Sequence, residues 1–295
     1  MRLAARAGHR PRGVARAVSG RPLTRWRECR PELYPPRGLA LWRRAAAVLL
    51  GLGLFLWGLD ALEVTPGRLI DGIGQLGHVF MLMMPPAVTE HVWDYVRAIG
   101  ETLAMAFLGT LVASLLSVPL ALMGARNIMP FGPVRLLVRR SSDVVRGIDS
   151  LVWAIFFVSV VGLGPFAGIL AIAMNDTGVL TKLYAEAIEN TDREQVKGVR
   201  ATGAGRMQTI GFGVLPQVMP VLLGNSLYFL ESNLRSATIL GVVGAGGIGF
   251  FLMDRLMISA WREVSLIVIM VLVTVVCIDA LSRVLRGRLI GPVGR

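Results

Sequence analysis

The chain has 295 residues, of which 54% are hydrophobic and 17% charged, with a mean hydropathy of +0.62. Soluble domains carry about 25% charged residues, so the composition excludes an ordinary soluble enzyme and points to an integral membrane protein. The length accommodates about six spans of about 20 residues with loops of ordinary size, and no large extramembrane domain. The net charge of +12 invites a nucleic-acid reading, but its distribution argues against one: twelve arginines lie between Arg2 and Arg44, against Glu28 and Glu32. Only Lys182 and Lys197 are lysines, which suggests a codon bias toward arginine rather than selection for phosphate contacts. No nucleic-acid partner is expected. Residues 1–44 read as a basic cytoplasmic tail, with an organellar transit peptide or a misassigned start as alternatives. Cys29 falls in that tail and Cys277 in an apolar segment, so no disulfide is implied.

In chain order, the first apolar run covers residues 45–62, with Trp42 and Trp57 near its ends as interfacial aromatics. Residues 63–100 mix Pro66, Pro85 and Pro86 with Asp71, His78, Glu90, His91 and Asp94; they predict short amphipathic helices at an outer surface. Residues 102–123 predict a second span that tolerates Pro119. Residues 125–147 carry Arg126, Arg135, Arg139, Arg140 and Arg146 against Asp143, which places them in the cytoplasm. Residues 148–161 and 166–187 predict a third and a fourth span joined by a tight turn at Gly162, Gly164 and Pro165. Residues 189–214 are again polar and basic. Residues 215–241 and 264–281 complete six spans, with both termini in the cytoplasm.

The chain offers little that could serve catalysis. His9, His78 and His91 form no metal-ligand pattern, so no metal site is expected. Gly244, Gly246 and Gly249 match G-x-G-x-x-G, but they follow a membrane span carrying Glu231 and Arg235 rather than a βαβ unit. A helix break or a close-packing site is the better reading. Neither lysine follows a glycine, so no phosphate-binding P-loop exists. If ATP drives this protein, another chain binds it, and this chain holds no cofactor of its own.

One constellation does point to a function. Residues 194–205 read Glu-Gln-Val-Lys-Gly-Val-Arg-Ala-Thr-Gly-Ala-Gly, and Leu215-Pro216 follow. Gly203 and Pro216 are spaced as in the cytoplasmic EAA loop of ABC-importer permeases, which this segment resembles. Lys197-Gly198-Val199 stand where that family has Glu-Ala-Ala. The resemblance covers about residues 65 to 290 and narrows to the phosphonate permeases, with a MetI-like all-α fold. Its other carriers are Glu101-Thr102-Leu103 with Gly109-Thr110, then residues 146–154 from Arg146 to Ala154, residues 162–168 from Gly162 to Gly168, and residues 231–249 from Glu231 to Gly249.

The resemblance implies a non-enzymatic subunit in a bacterial inner membrane, forming the path for an organophosphonate. It implies a homodimer, a cytoplasmic ATP-binding subunit that holds ATP and magnesium, and an extracytoplasmic solute-binding protein. Phosphite, phosphate or an amino acid are rival cargoes, and a secondary transporter or an intramembrane enzyme rival classes. Coupling to the ATPase falls on Lys197, Gly198, Arg200, Ala201, Gly203, Ala204 and Pro216. Physically, a short surface helix can turn closure of a soluble partner into motion of the spans, Gly203 permits a turn with positive φ, and Pro216 suits a first helical turn. Glu231 and Arg235 lie four apart on one helix face and, as membrane charges, need protein or water around them. They line an anion's path, with Asn233 and Ser236 beside them, or neutralise each other and lock the spans. Asp149 and Asp279 suit interfacial or helix-to-helix contacts.

Overall fold

The structure, a computed structural model, describes residues 37–290, and the expectations for Cys29 and the arginines before Arg37 lie outside them. Every regular element among the described residues is helical. The chain divides into two units, residues 1–76 and 77–295.

In the first unit, α1 (Arg37–Ala61) is apolar on all sides from Ala45 to Leu59. Its residues 41–61 are long enough, at about 1.5 Å per residue, to cross about 30 Å of hydrocarbon, and none of them is buried within the protein. An apolar stretch of this length without a polar face is suited to lipid. A turn at Glu63, whose φ is 51°, is held by an ion pair of 2.7 Å to Arg68. It leads into α2 (Pro66–Met83), which occupies the stretch expected to hold short amphipathic helices.

The second unit is built around α3 (Val92–Gly124), which starts ten residues before the expected span and runs through Pro119. α4 (Gly132–Arg146) and α5 (Ser150–Val161) follow, bent by 88° to one another. α5 has 12 residues, about 18 Å, so the expected third span is a half-length arm. The stretch assigned to a cytoplasmic loop supplies α4. Asp149 caps α5 by accepting from the Leu151 amide at 2.8 Å, and the Trp153 indole donates to the Val145 carbonyl across the bend. α6 (Pro165–Glu189) then packs along α3 through small residues: Ala106, Ala113, Ala121, Ala171 and Ala185 are buried. A Cβ on Gly109 would lie 2.7 Å from Ile172. Small residues let apolar helices approach where no hydrophobic effect drives them together.

The remaining elements are α7 (Arg193–Ala201), the turn α8 (Arg206–Gln208), a π-helical stretch Thr209–Val214, α9 (Leu215–Leu240), a second π-helical stretch Gly241–Ala245, α10 (Gly247–Met257) and α11 (Trp261–Ile290). The helical path of the fifth expected span thus begins at Arg206, inside the segment read as a polar loop. Pro216 sits where α9 takes over from the π-helical stretch rather than at the first turn of the whole span. A proline removes one backbone hydrogen bond and crowds the preceding turn, and the wider π geometry before it meets that demand. Counting α4 and α5 as one bent span, six segments among the described residues are long and apolar enough to cross a membrane; without that pair there are five.

The glycines of the G-x-G-x-x-G match form the helix break expected of them. Gly244 and Gly246 take φ of 96° and 82°, and the Gly164 amide at the α5–α6 turn donates to the Gly244 carbonyl at 3.0 Å. A Cβ on Gly249 would lie 2.0 Å from the Thr238 carbonyl oxygen. Thr102 fixes the start of α10, accepting from the Ile248 amide at 2.9 Å while donating to the Ala98 carbonyl. Three of the four stretches that carry the resemblance therefore meet: α3 at Thr102, the α5–α6 turn and the broken helix pack on one another. Beyond the break, the Tyr95 hydroxyl donates to Glu263, and Arg255 lies 3.3 Å from the same carboxylate. This ties α3, α10 and α11 together at their common end.

Candidate functional site

The segment from 189 to 217 is organised by its polar side chains. The Asp192 carboxylate caps α7 by accepting from the Glu194 amide at 2.9 Å, the exposed Lys197 donates to Glu194 one turn back at 2.7 Å, and no residue of α7 is buried. Val196 and Val199 turn toward Gly213, where a Cβ would stand 3.5 Å from each. This lays α7 against the π-helical stretch. Gly203 takes φ of 84°, the left-handed turn that glycine adopts at least cost.

Gln217, unremarked in the sequence, bridges the two sides. Its side-chain oxygen accepts from the Asp192 amide at 2.9 Å and its nitrogen donates to the Gly213 carbonyl. Beside α7 opens a cleft of about 220 Å³ lined by Arg193, Lys197, Arg200 and Arg206 together with Asn127 and Thr191. Of the residues assigned to coupling, Lys197, Gly198, Arg200, Ala201 and Gly203 are exposed and Ala204 is half-buried. Pro216 lies beyond them on α9.

The residues expected to line the path separate onto two faces. Successive helical residues turn by about 100°, so Asn233 and Arg235 stand on nearly opposite sides of α9. Arg235 is half exposed, and its guanidinium lies 3.9 Å from Asp279 on α11, giving Asp279 the helix-to-helix contact expected of it. Glu231 and Ser236 are half-buried. Asn233 instead turns inward, donating to the Thr110 hydroxyl at 2.8 Å and to Asp176 at 2.5 Å.

Asp176 is 1% exposed and also accepts from Asn175 at 3.2 Å. A lone acid inside the apolar run of α6 is a legible signal, because such a charge is costly in a bilayer without partners. Its partner, 57 residues away across the α7 segment, is not legible. The polar line continues toward α7: Ser114 donates to Ser226 at 3.0 Å, and the Tyr184 hydroxyl lies 2.7 Å from Ser226. α3, α6 and α9 are thus cross-tied within the spans, and α6 and α9 are the helices that flank the α7 segment. Among the described residues no three His, Cys, Asp or Glu side chains lie close enough to hold a metal ion.

Comparison with known proteins gives this geometry a family. The chain is 37% identical over 256 residues to the phosphite transport system permease protein PtxC of Stutzerimonas stutzeri, covering 84% of this chain and 90% of that one. It is 36% identical over 229 residues to the phosphate-import permease protein PhnE of Mycolicibacterium smegmatis, covering 78% of this chain and 43% of that one. A 121-residue stretch, 41% of this chain and 99% of the relative, is 46% identical to PhnE2 of Escherichia coli K12, provisionally named a cryptic phosphonate transport system permease protein. The fold is similar to the inward-facing MetNI methionine ABC transporter, with a TM-score of 0.60 at 23% identity over 68% of this chain and 99% of that one. Residues 117–291 match the family described as binding-protein-dependent transport system inner membrane component, and the chain belongs to that family of transport permease subunits.

Proposed function

We propose that the chain forms the translocation path of an ATP-driven importer for organophosphonates. The observation that carries this reading is the near full-length similarity to a phosphite permease, joined by relatives named for phosphate and phosphonate transport. The cargoes in those names are small phosphorus oxyanions. Arg235 is the path residue: a guanidinium binds a phosphoryl group through paired hydrogen bonds, and a charge at a bilayer centre costs about 2.5–3.5 kcal/mol unless it faces protein or water. Its exposed helix face also carries Tyr228 and Ile239. A second copy of the chain covers that face, with a watered path between the two copies in which Glu231 and Ser236 take part.

Basic residues cluster on the α4 and α7 segments, while Glu63, Asp71, Glu90 and Asp94 outnumber Arg68 and Arg97 over residues 63–100. This charge bias supports a cytoplasmic α7 with both termini on the same side and residues 63–100 outside, where a solute-binding protein delivers cargo. A cytoplasmic subunit binds and hydrolyses ATP with magnesium and grips α7 at Lys197, Gly198, Arg200, Ala201, Gly203 and Ala204. Its closure moves α6 and α9 together through the Gln217 bridge and the Asp176–Asn233 tie.

The test is uptake of labelled 2-aminoethylphosphonate in cells with and without the gene, its partner subunits present, challenged with methylphosphonate, phosphite and phosphate. Gene-dependent uptake blocked by methylphosphonate but not by phosphate is expected. Uptake blocked by phosphite or phosphate and not by methylphosphonate would reassign the cargo.

A further inference from the structure

Between α4 and α6, where α3 ends at Gly124, lies a cavity of about 120 Å³ whose polar lining is Arg139, Ser142, Asp143, Thr181, Lys182 and Glu186. The packing around it is tight. A Cβ on Gly178 would lie 2.9 Å from the Arg146 amide nitrogen, and one on Gly124 would touch Ala185 and Val138. The gap is therefore bounded by close helix contacts and has room for several waters or one small polar group.

Its most telling feature is a hydroxyl. Inside these spans threonines satisfy themselves by donating to the carbonyl four residues back, as Thr102, Thr110, Thr177, Thr238 and Thr274 do. Thr181 does not. The Thr177 carbonyl that would serve it accepts from Ser117 instead, and the Thr181 hydroxyl, on a side chain 2% exposed, is left buried without a hydrogen-bond partner. A buried orphan of this kind is costly and marks a place for a group that the protein does not itself supply.

The charges around it specify that group. Arg139 is already satisfied by Glu189 at 2.6 Å and the Gly124 carbonyl at 2.9 Å, and Asp143 is engaged by Arg140 and Arg146. Lys182 and Glu186, one turn apart at the cavity rim, form no ion pair with each other or with any other described residue. One free cation, one free anion and one free hydroxyl face the same space. The cavity sits at the ends of spans α3 and α6, hence at the boundary between hydrocarbon and water.

We propose that this cavity binds a phosphoethanolamine group, presented as the headgroup of a zwitterionic phospholipid. Its phosphate accepts from Lys182 and the Thr181 hydroxyl, and its primary ammonium donates to Glu186. Occupancy braces α4 against the end of α6, three residues before the cap of α7.

The test uses the permease assembled with its ATP-binding subunit in nanodiscs. Lipid retained by the complex is read by native mass spectrometry from mixtures of phosphatidylethanolamine, phosphatidylcholine and phosphatidylglycerol. The wild type is expected to retain phosphatidylethanolamine about tenfold over phosphatidylcholine, whose quaternary nitrogen cannot donate to Glu186, and over phosphatidylglycerol, which has no ammonium. Glu186→Gln is expected to erase that preference, while Lys182→Gln and the near-isosteric Thr181→Val weaken retention of the headgroup about tenfold.

Lys182 and Glu186 are exposed, so their variants decide the outcome even if Thr181→Val fails to fold. Soluble O-phosphoethanolamine, added to complex prepared without phosphatidylethanolamine, separates the two sources of the same chemistry. Saturable stabilisation by it that is lost in Lys182→Gln and Glu186→Gln, without lipid preference, would assign the site to a free zwitterion. Equal retention of all three lipids, insensitive to the variants and without a response to O-phosphoethanolamine, would overturn the proposal and leave the cavity to water. Retention is read without transport, so it stands or falls separately from the cargo.

Discussion

The glycines of the broken helix and those of the α7 segment do opposite work. At the break a Cβ on Gly249 would strike the Thr238 carbonyl at 2.0 Å, and one on Gly244 would meet Leu163 at 2.3 Å. Glycine is there so that backbone and side chains can come into contact. Around Gly198 and Gly203 nothing stands within 4 Å, and Gly203 matters for its φ of 84° alone. The first region is closed on itself and behaves as a fixed point of the fold. The second is an open surface, the one proposed to meet the ATP-binding subunit, held from behind by Asp192 and Gln217.

Substitutions can break that contrast. The largest effect is expected from Gly249→Ala, which forces a backbone shift at the break and costs about 3 kcal/mol. Purified yield and thermal unfolding in detergent should both fall, and a wild-type melting profile would contradict the packed reading. Gly203→Val is expected to leave insertion and yield intact, because its strain of about 1–3 kcal/mol is local, yet to lower uptake at least tenfold. Uptake at the wild-type rate would remove Gly203 from coupling. Asn233→Ala takes one of its two donors from buried Asp176, and about 1–2 kcal/mol of stability is expected to go with it. A double-mutant cycle with Thr110→Val reads how much of that passes through the Thr110 hydroxyl.

Gln217→Ala removes a bridge worth about 1 kcal/mol, with a smaller loss of uptake than Gly203→Val and an unchanged fold. The smallest effect belongs to Gly198→Ala, an exposed helical site with open space. A gain of up to about 1 kcal/mol in helix stability is expected together with a slight loss of uptake where the partner grips that position, and unchanged uptake would take Gly198 out of the grip.

What the sequence made legible follows from what it encodes locally. Spans 45–62, 166–187 and 264–281 correspond to α1, α6 and α11 because long apolar runs need no partner to be recognised. The turn at Gly203 and the break at Gly244 were readable because glycine at a helix boundary has few other uses. The half-length of α5 was obscured because hydropathy runs through Ile148 to Val161 without marking its start, and only the 88° bend at Gly147 to Asp149 separates α5 from α4. The early start of the fifth span at Arg206 was hidden by its polar residues and π geometry. The partners of Asp176, Arg235, Arg255 and Glu263 lie on other helices, and no local pattern announces them.

In the proposed function, ATP-driven cargo movement passes through the α7 segment to the spans. Its most direct test is uptake of labelled 2-aminoethylphosphonate into proteoliposomes holding the assembled importer and its binding protein, comparing wild type with Gly203→Val. The account predicts uptake that requires ATP and the ATP-binding subunit in the wild type, and a variant that assembles normally but neither transports nor raises ATP hydrolysis when loaded binding protein is added. Uptake without ATP, or a variant indistinguishable from wild type, would contradict it.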